Sequence, residues 1–469
     1  MARVIVGLRG YPPAPALLDA AREGRLAGLL WFRDAFGETV EEAAARVAEV
    51  RAAWCRSVPC IFAIDEEGGL IQQLSGLREP SGECWPRLPS PRALGRSGDG
   101  ALARAHGREI GRRMRRLGLD VALAPAVDLD PGPESPVLGT RCFGEAPDTV
   151  TEMASAWLRG LASAGVRGCL KHYPGHGATA TDSHIDLPRI APGVDMSPHR
   201  EPYERIARTW RAADGPAPAV LTAHIVCGEG EGPASLDAAA LAAIPGGLGP
   251  IVTDSLDMGA LAQVGSLEAR GRAALDAGSD LLLFGLDVPG GLEVARVFAG
   301  ARSARLDAWR VAAPLPEIPQ PWARADLDRA ADSGFRSHTG GGTPPGDWDW
   351  ILPERWGAYG AVATPPMDLP GARRIGRLLR YRTGEPSTLE RALGSSDAPS
   401  LVGWIHRGPE DDATRTQLER HGSRVRAIAH LLDGPSGALP NGAWTVETCG
   451  FGEGEIASLA RRWSAHPVF

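Results

Sequence analysis

The chain has 469 residues, 43% hydrophobic and 23% charged, a balance that buries a large core and leaves room for a barrel of about 250 residues with something appended. Fifty basic residues against 57 acidic ones give a net charge of -7, which with arginines scattered along the chain excludes nucleic acid as the main partner. No apolar run reaches the ~20 residues of a membrane span, and Gly7 and Tyr11-Pro12-Pro13 interrupt the N-terminus too early for a signal peptide. Seven cysteines without paired metal spacing fit reduced thiols, so a cytoplasmic location with no membrane partner is expected.

Short apolar runs alternate with stretches of helical periodicity. Strands are predicted at 4–8, 28–32, 61–64, 121–127, 168–172, 219–225, 251–253 and 280–284, and helices at 39–54, 101–117 and 149–164. Eight such units in about 290 residues predict an α/β fold of the (β/α)8 TIM-type barrel class, although an open doubly wound sheet shares the alternation. The polar residues separate the two. Asp65 closes the third run, Asp128 the fourth, Lys171 and His172 the fifth, His224 the sixth and Asp254 the seventh. A barrel gathers those strand ends on one mouth, where an open sheet would lay them in a row. The run Arg112-Arg113-Met114-Arg115-Arg116 reads as the solvated face of its helix.

Past 292–301 the composition changes. Ala313-Pro314-Leu315-Pro316-Glu317-Ile318-Pro319-Gln320-Pro321 is linker-like, and Gly340-Gly341-Gly342-Thr343-Pro344-Pro345 is a second breaker cluster. The division expected is a catalytic barrel over 1–312, a linker over 313–346 and a small α/β domain over 347–469. The last has strands at 400–405 and 425–431, helices at 411–421 and 453–463, and no motif with catalytic chemistry.

Among the 50 basic residues a single lysine stands, in the cluster Lys171-His172-Tyr173-Pro174-Gly175-His176-Gly177. An ammonium is a compact point charge and a guanidinium a broad planar fork, so a tight pocket distinguishes them. Codon bias with one survivor accounts for the count equally well, since asparagine also occurs once, at Asn441. The neighbours decide between these readings. The ordered motifs are Ile64-Asp65-Glu66-Glu67-Gly68-Gly69, Ala124-Pro125-Ala126-Val127-Asp128, Arg141-Cys142-Phe143-Gly144-Glu145, Lys171 to Gly177 running into Asp182-Ser183-His184, Thr222-Ala223-His224, and Val252-Thr253-Asp254-Ser255-Leu256-Asp257-Met258. From residue 4 to about 284 this set resembles the β-N-acetylglucosaminidases of glycoside hydrolase family 3. The C-terminal part resembles that family's second domain only in outline and looks shortened.

The resemblance implies a retaining exo-glycosidase that releases β-linked N-acetylglucosamine from a small cytoplasmic glycoside, with Asp254 as nucleophile and His184, paired with Asp182, as acid/base. Chemically, a retaining glycosidase needs a carboxylate that forms a covalent glycosyl-enzyme and a second group that protonates the leaving oxygen. A carboxylate beside an imidazole orients it and raises its pKa into the working range. The resemblance further implies that Lys171, His172 and Asp65 bind sugar hydroxyls, assisted by Arg141, with neither cofactor nor metal. Considered alone, Asp254 also fits a helix N-cap, and Asp65 with Arg141 a structural ion pair. One departure stands out: where the family has an arginine against the sugar, this chain has Gln73, which loses charge-assisted bonds of roughly 1.5 to 3 kcal/mol each.

Four other readings remain open. A histidine acid/base does not repel phosphate, which allows a β-N-acetylglucosaminide phosphorylase. A lysine at a strand end also suits a Schiff-base aldolase, but Lys171 is flanked by His172 rather than by apolar residues. A sugar-binding relative with impaired catalysis would have no need of Asp254, Asp182 and His184 together. A metal site from His172, His176, Asp182 and His184 matches no usual zinc spacing.

Overall fold

The computed structural model describes residues 2–55, 58–131, 138–179, 187–227, 232–310, 316–322 and 324–333, together with six strands between residues 336 and 447. Eight strands form the first sheet: β1 (Val4–Leu8), β2 (Gly28–Trp31), β3 (Ile61–Ile64), β4 (Val121–Ala122), β5 (Cys169–Tyr173), β6 (Ala219–Thr222), β7 (Ile251–Ser255) and β8 (Leu281–Phe284). Their order is 4-3-2-1-8-7-6-5, neighbouring strands pair in parallel, and bridges Val121–Arg167 and Ala126–Lys171 join the β4 segment to the β5 segment. The sheet therefore closes on itself as a barrel. Closure is held by the Cys169 N–H to the Ala124 carbonyl (2.8 Å) and the Val127 N–H to the Lys171 carbonyl (2.7 Å). The run predicted over 121–127 is only partly a strand because Pro125 has no N–H to give a ladder.

Around the barrel run α1 (Pro15–Arg22), α2 (Val40–Ala52), α3 (Pro91–Ser97), α4 (Gly100–Leu117), α5 (Pro147–Ser163), α6 (Ser197–Thr209), α7 (Ala238–Ala242), α8 (Leu267–Ala277) and α9 (Val288–Val297), followed by α10 (Ala304–Arg310) and α11 (Arg324–Ser333). Their starts are chemically marked. Thr39 accepts from the Glu42 N–H to cap α2, and Asp99 accepts from Ala101 and Leu102 to cap α4. At the α4–α5 crossing the backbones approach closely: a Cβ on Gly107 would lie 2.0 Å from the Trp157 carbonyl oxygen, and one on Gly160 2.0 Å from that of Arg104.

Both faces of each strand are buried, which is why the strands are continuous apolar runs. Alternate side chains nevertheless go to two different cores. Ile5, Leu30, Ala63, Leu123, Cys169, Leu221, Val252 and Leu283 pack together inside the barrel. Val6, Leu29, Phe62, Ala122, Leu170, Val220 and Leu282 pack outward against the helices. The base is stopped by α10, whose Trp309 joins the inner core and donates to the Ala217 carbonyl just ahead of β6.

The arginine run of α4 corrects an expectation. Arg112, Arg113 and Met114 are buried rather than solvated. Glu109, one turn earlier, accepts from Arg112 Nε (2.7 Å) and Nη2 (2.8 Å) and from Arg113 Nε (2.8 Å), and Arg113 Nη1 donates to the Pro86 carbonyl (2.8 Å). Glu109 also takes the backbone N–H of Trp322 (3.1 Å), whose ring meets His106 edge-on at 5.7 Å. Residues beyond the barrel thus return to cover this face of α4, and α11 packs against α3.

The second sheet comprises β9 (Arg336–Thr339), β10 (Trp348–Pro353), β11 (Ile375–Tyr381), β12 (Ser400–Trp404), β13 (Val425–His430) and β14 (Trp444–Glu447), in the order 11-10-12-13-14-9. It is parallel except for β9, which runs antiparallel to β14. Both α11 and β9 fall in the stretch 313–346, and the helices expected at 411–421 and 453–463 lie outside the described residues. Among the described residues no helix is long and apolar enough to cross a membrane.

Candidate active site

Side-chain parity sets the mouth of the barrel. Ala63, Cys169 and Val252 face the interior, so Asp65, Lys171 and Asp254, two residues further along β3, β5 and β7, fall on the interior side at the C-terminal rim. One layer down on β5 lies the Cys169 thiol. Burial pushes that thiol up to about 12, with opposed effects from Lys171 and from Asp65 and Asp254.

Lys171 is nearly fully buried, and its ammonium lies 2.9 Å from Asp65 Oδ1 and 2.6 Å from Glu67 Oε1. Arg141 clamps the same Glu67 in bidentate fashion, Nε to Oε2 at 2.9 Å and Nη2 to Oε1 at 2.8 Å. Burial alone would push the Glu67 carboxyl up. The Arg141 guanidinium and the Lys171 ammonium reverse that and hold it at about 2. Lys171 itself is held above its ordinary value, because Asp65 and Glu67 outweigh its burial. Two cations and two carboxylates thus form one charge-balanced unit on the wall of the mouth.

His172 continues the network. Its Nδ1 is 2.7 Å from Asp128 Oδ2 and its Nε2 is 3.2 Å from Arg141 Nη2. Arginine can only donate, so the tautomer assigned from these partners has Nε2 accepting and Nδ1 donating to Asp128. Asp128 is fully buried and also accepts the backbone N–H groups of His172 (3.1 Å) and His176 (2.6 Å). Its burial is outweighed by His172 and His176, which keep it below the usual carboxylate range. The close approach of Gly177 to the backbone of Leu129 fits this loop against the segment that follows Asp128: a Cβ there would lie 1.9 Å from the Leu129 carbonyl oxygen.

Asp254 is half-buried at the end of β7 and accepts from the Ser255 N–H (2.7 Å). The backbone beside it is fixed from two sides. His224 Nε2 donates to the Ser255 carbonyl (2.9 Å), with Nδ1 against the Ser235 hydroxyl (2.7 Å), and burial holds His224 below its ordinary value. Asp257 accepts from the Ser255 hydroxyl (2.6 Å) and from the Leu286 and Asp287 N–H groups, binding the rim after β7 to that after β8.

Of the residues expected at the site, Asp65, Arg141, Lys171 and His172 are thus joined in one network, with Asp254 on the same rim. Gln73 is buried, and its Oε1 accepts from the Arg33 N–H (2.9 Å), linking the rim after β3 to that after β2. Asp182 and His184 lie outside the described residues. Sequence reasoning missed Glu67 as the hub and Asp128 as the anchor of His172. Asp128 was visible as a strand-end acid, but Glu67 was one of three consecutive acids with nothing to single it out. The middle one, Glu66, points elsewhere: it accepts from the Gln73 (2.6 Å) and Leu74 (3.1 Å) N–H groups, and burial pushes it up to about 7.

Residues 19–292 match the N-terminal domain of glycosyl hydrolase family 3. A β-hexosaminidase of Alkalilimnicola ehrlichii is 32% identical over 276 residues, 55% of this chain and 73% of the relative. Among solved structures, a family 3 β-N-acetylglucosaminidase from Paenibacillus sp. str. FPU-7 aligns over 99% of this chain and 95% of its own, with a TM-score of 0.80 at 21% identity, a likeness of fold. NagZ from Neisseria gonorrhoeae, solved in complex with N-trifluoroacetyl-D-glucosamine, aligns over 70% of this chain and 92% of its own, with a TM-score of 0.58 at 25% identity.

Proposed function

The chain belongs to glycoside hydrolase family 3, and from that membership we propose that it is a β-N-acetylhexosaminidase, releasing β-linked N-acetylglucosamine from a small glycoside with retention at the anomeric carbon. Asp254 attacks the anomeric carbon while the His184 imidazolium, oriented by Asp182, protonates the departing oxygen. Water then hydrolyses the glycosyl-enzyme with His184 as base. Lys171, Asp65, Arg141 and His172 hold the sugar hydroxyls. Their mutual bonds fix them before substrate arrives, so binding energy goes into distorting the ring toward the oxocarbenium-like transition state. Gln73 serves the site through the Arg33 backbone. A cytoplasmic glycoside is the substrate proposed.

The observation that carries the reading is Asp254, half-buried on the barrel rim, beside a backbone held by His224 and Asp257. A fluorinated N-acetylglucosaminide should add one sugar mass to the Asp254 peptide. Asp254→Ala should lose both the label and turnover of a chromogenic N-acetylglucosaminide, by at least about a thousandfold. Labelling and turnover that persist in Asp254→Ala would refute the assignment. With phosphate present the product should remain free N-acetylglucosamine; a sugar 1-phosphate would make the protein a phosphorylase.

A further inference from the structure

The side of the mouth formed by β8, β1 and β2 is built differently from the charged wall. The interior-facing positions that end β1 and follow β8 are glycines. A Cβ on Gly7 would lie 2.2 Å from the Gly285 carbonyl oxygen and 3.2 Å from Phe32 Cε2. One on Gly285 would lie 3.1 Å from Ser255 Oγ and 3.9 Å from Phe32 Cζ. The Phe32 ring therefore occupies space that the two glycines leave, and Gly285 faces in turn Ser255, the residue after Asp254. Arg9, immediately past β1, lies over this ring with its guanidinium carbon 4.0 Å from the centroid.

Arg9 differs from Arg141 in its partners. Among the described residues Arg141 is clamped by Glu67, whereas Arg9 is exposed and makes no hydrogen bond or ion pair. A guanidinium stacked on an aromatic face keeps its donor edge outward, in a planar fork that matches a carboxylate. The inner network offers no spare positive charge for an acidic group, since Lys171 and Arg141 are already balanced by Asp65 and Glu67. Beside Gly285, Leu286 is 59% exposed while its backbone is pinned to Asp257, an apolar contact on a fixed rim.

We propose that Arg9, stacked on Phe32, recognises a carboxylate on the aglycone and so selects acidic glycosides over neutral ones. This rests on the glycosidase reading of the mouth. The aglycone leaves in the first chemical step, so a contact to it acts on kcat/KM and not on hydrolysis of the glycosyl-enzyme.

The test compares kcat/KM for the β-N-acetylglucosaminides of 7-hydroxycoumarin and of 7-hydroxycoumarin-3-carboxylate in the wild-type chain, Arg9→Gln and Arg9→Lys. Taking the acidic-to-neutral ratio in each variant relative to wild type removes the difference in leaving ability. Arg9→Gln should lower that ratio about tenfold to a hundredfold, the loss of one charge-assisted pair, and Arg9→Lys should restore part of it. A ratio unchanged in Arg9→Gln overturns the inference while leaving the glycosidase reading standing. Absence of turnover of both glycosides by the wild-type chain overturns both together.

Discussion

Replacing Glu67 by Gln tests the charge-balanced wall most directly. Glutamine keeps the shape but removes the charge that three donors share: Arg141 Nε at 2.9 Å, Arg141 Nη2 at 2.8 Å and Lys171 Nζ at 2.6 Å. The fall of the carboxyl from 4.5 to about 2 corresponds to about 3 kcal/mol of stability at neutral pH. Breaking a buried pair by removing one partner costs about 3 to 5 kcal/mol, the same range. The pH dependence follows from the sign of the shift. A carboxyl depressed in the folded state contributes fully above its unfolded value, and that contribution is lost as the pH falls from 4.5 through about 2. Urea denaturation followed by tryptophan fluorescence should show Glu67→Gln about 3 kcal/mol less stable than wild type at pH 7, with the gap closing steadily below pH 4.5. A gap under about 1 kcal/mol at pH 7, or one undiminished at pH 3, would refute the reasoning.

Three more substitutions probe other links. Lys171→Arg should lower kcat/KM on a chromogenic N-acetylglucosaminide at least about tenfold, because a planar fork does not fit the slot between Asp65 and Glu67 beside Arg141; wild-type kinetics would contradict this. His224→Phe removes the donor to the Ser255 carbonyl, and we expect kcat to fall about tenfold or more with a smaller change in KM, read from steady-state kinetics. Gly107→Leu forces α4 from α5 and should cost at least about 1 to 3 kcal/mol in the urea transition, more than the same change at an exposed helical position.

The barrel was legible because its strands advertise themselves locally. β1 and β3 begin and end where the apolar runs do, and the acids and the lysine at strand ends pick out the mouth. What could not be read depends on contacts distant in the chain. Arg112 and Arg113 look like solvated arginines until Glu109 and the returning Trp322 segment enclose them. Gln73 was expected against the sugar, but only the fold shows its amide oxygen on the Arg33 backbone, 40 residues away. Glu67 becomes distinctive only when Arg141, from the loop between β4 and β5, and Lys171, from β5, converge on it.

The return of Trp322 to α4 has a consequence for dissecting the gene. A fragment ending at residue 312, where the composition first turns linker-like, would leave Glu109 without the Trp322 amide and His106 without the ring across from it. His106 is buried, and its Nδ1 takes the Trp157 indole N–H (2.9 Å) while its Nε2 meets the Pro89 carbonyl (2.9 Å). Pro89 in turn lies against Gly68, next to Glu67. The natural place to cut is after α11, at about residue 333, so that the excised catalytic unit takes with it the strap that braces its own acid loop.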